Sequence, residues 1–485
     1  MLDFTEKEII DGVLAEFEEI AKIPRPSGHE EAVSNYLKKV FSDIGCTVVQ
    51  DEKLNIIADL SSSNGAESAP LTILQAHMDM VCVAAPGVEF NPLTDPVKLL
   101  NDGTVLSADG TSLGADDGIG VAEIIYIFKN LKNHGPLRAI ITVDEEKGMT
   151  GAIHLDKKYL LDASYLINCD SENFDELTVG SAGSMNISFE RNIVWQIPHY
   201  ASAYKISLKG LLGGHSGMEI GKGRGNAIRT LALMLRRLQK EDIDFDLVEI
   251  NGGTAINAIP VDGFAVIVTN EAEDKLQEIL ALEKENFLSI YGDVDGNLEI
   301  SLEKVDMPAR AFDTSLTSDL IRLLIMLHTG VYSMSQLKPS LVETSANLGI
   351  LRTSDDKVEV FFFPRSASDG KVREFGDIAI AQAEATGFKA NIGTQSPGWK
   401  ERTDSVLMQA MNNIFQKQNG FSMQIETIHA GLECGWHFQK NPDLDIVSIG
   451  VTTIDIHSPN EKLLLESIAP QVNLITATLE NIADF

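Results

Sequence analysis

Five short stretches of the chain carry the histidines and carboxylates that bind divalent metal ions in proteins. They are Gln75–Met80, Leu113–Gly118, Val143–Gly148, Asn168–Glu172 and Asp455–Glu461. Four of them follow a run of residues that predicts a buried strand, and the second opens a predicted helix. Because ligands of an open α/β sheet bind at the carboxyl ends of its strands, we expect these side chains to meet at one sheet edge. Two histidines with several carboxylates suit zinc, manganese or cobalt, and they would supply two ions rather than one.

The spacing within two of these stretches predicts more specific chemistry. His77 and Asp79 are two residues apart, so on an extended backbone they face the same side. Asp79 can then bind the far ring nitrogen of His77 and fix its tautomer. Glu145 and Glu146 are adjacent and therefore point in different directions. One of them can bind a metal ion while the other takes a proton from water.

Each stretch also has a simpler interpretation when it is taken alone. A histidine such as His77 after a strand is often structural, and a pair of glutamates in an acidic protein is usually at the surface. Asp116 and Asp117 before a helix can serve as an N-cap, and Asp170-Ser-Glu can form a turn. These simpler interpretations are less convincing when the stretches are considered together, because chance alone would have to place an acidic residue at the end of each strand.

The elements around these stretches predict an α/β domain interrupted by an inserted α+β domain. Helices and strands alternate up to about residue 194, which is typical of a sheet covered on both faces. Thr5 and Glu8 predict a capping box at the start of the first helix. The order helix, strand, strand, helix then occurs twice, which indicates a weak internal repeat. We expect a catalytic domain formed by 1–195 and 393–485, with the insertion at 196–392 and a final helix near Leu463–Ile482.

Composition limits the classes of function. The chain has 485 residues, which favours two domains, and 44% of them are hydrophobic, as in a globular protein. Its 39 basic and 71 acidic residues give a net charge of -32, which argues against nucleic acid or an anionic membrane as partner. The four cysteines are far apart, and we see neither a signal peptide nor an apolar run of about 18 residues. A cytoplasmic location fits these features best.

The motifs AHMDMV, GADDGIG, DEEKGMTGA, NCDSE, GGHSG and IHSPNE resemble those of the Xaa-His dipeptidases, also called aminoacyl-histidine or cytosol non-specific dipeptidases. This family belongs to a superfamily of dizinc peptidases that includes carboxypeptidases, aminoacylases and carnosinases. The resemblance covers essentially the whole chain, in order. It implies a catalytic domain with a central mixed sheet flanked by helices, an inserted α+β lid, and two divalent ions per chain. Zinc is the expected metal, with cobalt or manganese as alternatives.

The resemblance also implies a role for individual residues of the catalytic domain. One ion would be held by His77, Asp116 and Asp170, and the other by Asp116, Glu146 and His457, with Asp116 bridging the two. Glu145 would be the general base and later the proton donor, and Asp79 would orient His77. The peptide bond between Asp116 and Asp117 would be cis. Asp117 departs from the pattern, since many relatives have Asn there.

In the inserted domain, the resemblance assigns His215 to the polarisation of the scissile carbonyl. As a bare string, Gly-Gly-His-Ser is equally a polar turn. Asn257 and Arg365 would hold the substrate carboxylate, a task that suits a planar guanidinium. Glu433, in the catalytic domain, would shape the substrate-binding pocket.

The predicted activity is therefore hydrolysis of dipeptides, of the Xaa-His type and with broad specificity, by water that the two ions activate and Glu145 deprotonates. The alternative is another dizinc amidohydrolase: an aminoacylase, a deacetylase or a carboxypeptidase. A binding protein with a degenerate site is a third possibility, against which the complete set of ligands speaks. A serine hydrolase is disfavoured because no Gly-x-Ser-x-Gly follows a strand. We expect a homodimer in which His215 serves the active site of the partner, although a doubled lid could supply His215 within one chain.

Overall fold

The computed structural model describes residues 4–335 and 339–485. The chain forms two compact units. The first runs to Ser181 and includes Trp399–Thr427 and Leu432–Phe485, and the second comprises Ala182–Gly398 and Ile428–Gly431. These boundaries differ from those predicted at 195/196 and 392/393, because the strands at both ends of the second unit belong to its own sheet. No helix among the described residues is both long and apolar enough to cross a membrane.

The first unit is built on a mixed sheet flanked by helices. In sheet order its strands are Thr47–Gln50, Ile56–Leu60, Leu137–Thr142, Thr72–His77, Tyr165–Asn168, Asp445–Ser448, Glu176–Ser181 and Gln424–Ile428. Its helices are Glu6–Ala21, Glu31–Ile44, Ala115–Asn130, Glu145–Gly148, Thr150–His154, Val406–Asn419, Glu433–Lys440 and Ile468–Glu480. The capping box is confirmed at the first helix, where Thr5 accepts from the Glu8 backbone and Glu8 reaches back to Thr5.

Four central strands of this sheet are parallel and end at the same edge. Thr72–His77 pairs in parallel with Leu137–Thr142 and with Tyr165–Asn168, which in turn pairs in parallel with Asp445–Ser448. Both faces of Thr72–His77 are buried: Leu74 and Ala76 lie in the main core, and Ile73 lies in a smaller cluster on the other face. Successive strand side chains point to opposite faces, so two covered faces explain why this strand is a continuous buried run.

A smaller sheet lies beside the end of the chain in the first unit. Its strands, in order, are Thr453–Ile454, Lys462–Leu464, Val105–Ala108 and Leu99–Asn101. The prediction of a final helix from Leu463 was wrong at its start. Lys462–Leu464 pairs with the strand at Val105–Ala108, a partner more than 350 residues away that local periodicity does not reveal, and the helix begins at Ile468.

The second unit contains a large antiparallel sheet with a repeated order of elements. In sheet order its strands are Glu299–Val305, Ser202–Lys209, Gly263–Thr269, Phe245–Gly252, Val342–Thr353, Lys357–Ser366, Gly183–Asn192 and Lys389–Ser396, and Gly330–Met334 pairs with Val342–Thr353. Its helices are Ala227–Lys240, Glu273–Tyr291, Thr314–Met326 and Asp369–Thr386. The two halves of the sheet meet at one residue pair, Gly252 and Leu351. One half has four strands and two helices, and the other has five strands, counting Gly330–Met334, and two helices. Apart from Gly330–Met334, the order helix, strand, strand, helix occurs once in each half of the sheet, so the repeat predicted from element order is present.

Two short ladders complete the second unit. Trp195–Gln196 pairs with Ala311–Phe312, and Gly214–His215 pairs with Ala258–Ile259. Gly214–His215 lies in the loop that leads from the strand Ser202–Lys209 to the helix Ala227–Lys240, and Ala258–Ile259 lies between the strands Phe245–Gly252 and Gly263–Thr269. This second ladder fixes the backbone on which His215 stands.

Candidate metal centre

His77, Asp116 and Asp170 converge at the carboxyl edge of the first unit's sheet. His77 is the last residue of its strand and is 1% exposed. Its Nε2 lies 3.1 Å from Oδ1 of Asp116 and 3.4 Å from Oδ1 of Asp170. Asp170 follows the neighbouring strand, which ends at Asn168. One donor atom from each of the three residues lies within 4.8 Å of the others.

Asp116, Glu146 and His457 form a second group of the same kind. Nε2 of His457 lies 3.0 Å from Oδ2 of Asp116 and 2.8 Å from Oε1 of Glu146. Asp116 therefore offers one carboxylate oxygen to each group. The stretch Ala115–Gly118 starts a helix but is irregular, and the bond between Asp116 and Asp117 is cis, as the family resemblance implied.

The charges of these groups fit divalent cations. Burial and the neighbouring carboxylates of Asp116 and Glu433 raise the pKa of Asp170 to about 7, against the opposing effect of His77. Hydrogen bonds to Asp116 and Glu146 raise the pKa of His457 to about 10. Carboxylates crowded in this way repel one another unless a positive charge lies between them. Two imidazoles and three carboxylates, with one carboxylate shared, are a donor set that zinc and similar ions accept.

Asp79 connects the two chain segments that carry His77 and the adjacent glutamates. It is fully buried, and its Oδ1 lies 3.4 Å from Nδ1 of His77. It also accepts hydrogen bonds from the backbone N–H groups of Glu145 at 3.1 Å and Glu146 at 3.3 Å. Burial acts to raise the pKa of Asp79, but the hydrogen bond and charge of His77 outweigh it and the pKa is lowered. Asp79 is thus ionised and stands behind the far nitrogen of His77.

Glu145 is placed beside the two groups without belonging to either of them. Its carboxylate forms a third cluster with His77 and Glu146, within 4.8 Å. Asp144 precedes it with a left-handed backbone, at φ 56°, and turns the chain directly after the strand Leu137–Thr142. Burial raises the pKa of Glu145 well above its usual range, opposed by His77 and reinforced by the nearby carboxylates. A carboxylate with a raised pKa is the more effective general base near neutral pH.

Glu433 is buried inside the first unit, next to the strands that lead to Asp79 and Glu145. Its Oε2 accepts hydrogen bonds from Nε2 of Gln75 and Oγ1 of Thr142, both at 2.6 Å. Gln75 and Thr142 belong to the two strands that end beside Asp79 and Glu145. Burial raises the pKa of Glu433 to about 7, and its Oε1 has no hydrogen-bond partner among the described residues.

His215 and Arg365 lie together in the second unit. Nη2 of Arg365 is 3.4 Å from Nε2 of His215. Arg365 is 5% exposed and pairs with no carboxylate within the described ranges, and burial lowers its pKa to about 10. Burial and the charge of Arg365 lower the pKa of His215 to about 4, so this imidazole is neutral at pH 7. A buried guanidinium without an acidic partner favours binding of an anion.

Asn257, which the resemblance assigned to substrate binding, directly precedes the short strand Ala258–Ile259 that pairs with Gly214–His215. Its backbone oxygen accepts a hydrogen bond from the N–H of Ser216 at 2.8 Å, and the residue is exposed. The sequence did not point to His429, whose Nε2 lies 2.7 Å from Oγ of Ser345. Ser345 is the cross-strand partner of Arg365. Burial, Arg365 and His215 lower the pKa of His429 to about 3.

Two buried charged residues near the ligand-bearing segments were also missed. Arg25 donates to backbone oxygens beside His77 and Asp116, and Glu461 accepts from backbone N–H groups up to Asp116. Both residues stand within recognisable strings, Ile-Pro-Arg-Pro-Ser-Gly and the IHSPNE motif. The position of a charged residue inside such a string could have indicated a role for Arg25 and Glu461. The backbone groups that they bind are distant in the sequence, so these contacts could not be predicted.

Three comparisons with known proteins identify relatives of this chain. The model of the peptidase family M20/M25/M40 matches residues 73–481. The chain is 35% identical over 477 residues to the cytosol non-specific dipeptidase of Escherichia coli K12, and 96% of each chain is covered. The structure of aminoacylhistidine dipeptidase from Vibrio alginolyticus matches with a TM-score of 0.86 and 33% identity, over 97% of this chain and 96% of that one. Aminopeptidase PepT from Bacillus cereus, at 18% identity and a TM-score of 0.57 over 98% of this chain and 99% of that one, shares the fold.

Proposed function

The chain belongs to peptidase family M20/M25/M40, and we propose that it is a metal-dependent dipeptidase. Its proposed specificity is broad, and its substrates include Xaa-His dipeptides. The observation that carries the proposal is the pair of donor groups sharing Asp116, in a chain that aligns with a dipeptidase over 96% of its length. The dipeptide as substrate, and a cytosolic location, are inferred from the name of that relative. A homodimer is part of the same proposal.

The proposed ligands of one ion are His77, Asp116 and Asp170, and those of the other are Asp116, Glu146 and His457. The donor set supports zinc, with cobalt or manganese as alternatives. When bound, the two ions supply Lewis acidity, which makes water a better nucleophile and polarises the scissile carbonyl.

Glu145 is the proposed general base. Its carboxylate takes a proton from the attacking water and passes it to the leaving amine when the C–N bond breaks. Its position in a cluster with His77 and Glu146, outside the two groups that share Asp116, supports this role. Asp79 keeps the ring of His77 oriented and holds the backbone N–H groups of Glu145 and Glu146.

His215 is proposed to stabilise the oxyanion. The backbone N–H of Met218 lies 3.3 Å from Nδ1 of His215, and Nη2 of Arg365, which can only donate, lies 3.4 Å from Nε2. In the proposed complex the Arg365 guanidinium turns to the substrate carboxylate, Nδ1 keeps the bond from Met218, and the neutral ring carries its proton on Nε2. An Nε2–H group can donate to a carbonyl oxygen that gains negative charge. Loss of one such donor typically costs about 10²–10³ in rate.

The remaining predicted residues are proposed to bind the substrate. Arg365 would hold the free carboxylate of the dipeptide, because its buried guanidinium lacks an acidic partner within the described ranges. Asn257 would assist it from the exposed loop beside Ser216. Glu433 would shape the floor of the pocket for the amino-terminal residue.

A panel of peptide substrates tests the function. The zinc-loaded protein is assayed on a dipeptide library that contains β-Ala-His, on the same dipeptides carrying an N-acetyl group, and on tetrapeptides. Hydrolysis of free dipeptides with little turnover of the other two classes is expected. Preference for N-acetylated substrates would replace the proposal by an aminoacylase or deacetylase, and preference for long peptides would replace it by a carboxypeptidase.

A further inference from the structure

The carboxylate of Glu461 is surrounded by backbone N–H groups of the segment that leads to Asp116. Its Oε2 accepts from Leu113 at 2.8 Å and Gly114 at 3.0 Å, and its Oε1 accepts from Ala115 at 2.8 Å and Asp116 at 3.4 Å. Glu461 is 2% exposed. Two oxygens and four consecutive donors form a match that neither an amide nor a shorter side chain reproduces.

Arg25 donates to a backbone carbonyl group of the same segment and to two that follow the His77 strand. One nitrogen, Nη1, donates to the backbone oxygens of Met78 at 3.0 Å and Asp79 at 2.9 Å, and Nη2 donates to the oxygen of Gly114 at 2.5 Å. Arg25 is 1% exposed. It therefore ties the end of the His77 strand to the segment that carries Asp116.

Each of these residues joins Asp116 to the segment of a different histidine. Glu461 stands four residues after His457, and the intervening turn is closed by hydrogen bonds: Oγ of Ser458 donates to the oxygen of Asp455 at 2.7 Å, and the N–H of Glu461 donates to the oxygen of Ser458 at 3.2 Å. Arg25 acts in the same way on the His77 side. We propose that Glu461 is a positioning residue for the ion held by Asp116, Glu146 and His457, and that Arg25 is its counterpart for the other ion. This inference rests on the proposed metal-binding function.

The two groups differ in how their histidines are held, which makes the effect of Glu461 selective. His77 is the last residue of a buried central strand, and Asp170 follows the end of the strand beside it. The side chain of His457 is 44% exposed, and the residue lies in a loop with a left-handed backbone at φ 59°. The sheet therefore fixes the first group, whereas the second depends on the turn that Glu461 anchors.

The experiment measures the binding of Zn²⁺ to the metal-free full-length protein by competition with a chromogenic chelator. The wild type is expected to bind two ions per chain. Glu461→Gln should weaken binding of the ion held through His457 by about 10–100-fold, as changes to residues behind metal ligands do. It should weaken binding of the other ion less, because both ions share Asp116 but only the first uses the turn that Glu461 anchors. Glu466→Gln is the matched control, since Glu466 is exposed and lies on the neighbouring turn.

Double variants identify which ion is affected. Adding Glu461→Gln to His457→Ala should cause little further loss, because both act on the same ion. Adding it to Asp170→Ala should leave a protein with two weakened sites. Ser458→Ala provides a second route, since it loosens the same turn without touching a buried charge, and it should weaken the same ion to a smaller extent.

The outcomes separate the inference from the function on which it rests. A wild type that binds no Zn²⁺ contradicts both. A wild type with two ions and a Glu461→Gln protein with unchanged affinities, even if its Tm without metal is lower, would show that Glu461 is only structural. If Glu461→Gln fails to fold, Ser458→Ala is the deciding variant. Affinities of Ser458→Ala for both ions that equal those of the wild type would then overturn the inference.

Discussion

Oε1 of Glu146 lies 2.8 Å from Nε2 of His457, whereas the neighbouring Glu145 clusters with His77 and Glu146 but belongs to neither group that contains Asp116. The two glutamates are the first residues of a single helical turn, so their side chains leave the backbone in different directions. Both backbone N–H groups are bound by Asp79. The buried carboxylate of Asp79 thus fixes the backbone of Glu145 and Glu146, two residues with different proposed roles.

Replacing Glu145 by glutamine separates these two roles. We expect Glu145→Gln to lower kcat by roughly 10²–10⁴-fold, because the amide cannot accept the proton of the attacking water. Both ions should remain bound, since Glu145 belongs to neither proposed ligand group. The matched variant Glu146→Gln should instead lose about one ion per chain in metal analysis. Loss of an ion from Glu145→Gln would mean that the two roles are exchanged.

Replacing Arg365 tests how the free carboxylate of a substrate is held. We expect Arg365→Ala to lower kcat/KM for dipeptides. The loss of transition-state stabilisation should be about 2–5 kcal/mol, the typical cost of truncating one partner of a buried charge pair. Dipeptide amides, which lack the carboxylate, are the matched control and should be poor substrates of both proteins. An equal loss on dipeptides and on their amides would show that Arg365 supports the structure rather than the carboxylate.

The wild type should also hydrolyse dipeptides far better than tetrapeptides, because a carboxylate held by Arg365 leaves little room beyond the second residue. Arg365→Ala should narrow this difference. Equal turnover of the two lengths by the wild type would contradict a carboxylate-binding role for Arg365.

The buried imidazole of His437 predicts sensitivity to acid. Its two ring nitrogens have no hydrogen-bond partner among the described residues, and burial, together with Lys440, lowers its pKa to about 3. The folded pKa is below the unfolded value of about 6.5, so the contribution to stability is present above pH 6.5 and is lost as the pH falls toward 3. Over that range the loss approaches about 1.4 kcal/mol per pH unit.

Urea unfolding of the metal-free protein at pH 7.0 and 5.5 measures this loss. The wild type should lose roughly 1–2 kcal/mol more stability over this interval than His437→Leu, which cannot become charged. His154→Gln, at an exposed histidine, should behave as the wild type. Identical pH dependence of the wild type and His437→Leu would refute the prediction.

The parts of the fold that are local in sequence could be predicted, and so could the residues that stand directly at strand ends. Strands such as Leu137–Thr142 are buried runs, and the helix Glu6–Ala21 begins with its own capping box. The stretches that carry the candidate ligands follow from the same pattern, because a parallel strand delivers the residue after it to one known edge.

The contacts that could not be predicted join residues far apart in the chain. Glu461 accepts from N–H groups more than 340 residues away, and His429 lies in a short segment, Ile428–Gly431, that belongs to the second unit although its neighbours belong to the first. The start of the second unit was placed too late because the strand Gly183–Asn192 looks locally like its predecessors. Only its pairing with Lys357–Ser366 assigns it to the other sheet.

His215 belongs to the second unit and Glu145 to the first, and the proposed homodimer supplies His215 to the active site of the other chain. The repeat within the second unit offers the opposite arrangement, because a doubled domain can imitate a dimer and supply His215 within one chain. Both arrangements make Glu145→Gln and His215→Ala nearly inactive, so single variants do not distinguish them.

A mixing experiment distinguishes the two arrangements. The Glu145→Gln and His215→Ala proteins carry different affinity tags and are dissociated and reassociated together, and the doubly tagged species is isolated. If His215 acts across the dimer, one site of each mixed dimer combines an intact Glu145 with the intact His215 of its partner, so close to half of the activity per dimer should return. If His215 acts within its own chain, every site keeps one lesion and the mixed species stays inactive. Mixing two batches of His215→Ala is the control, and an inactive, verified mixed dimer would rule out action across the dimer.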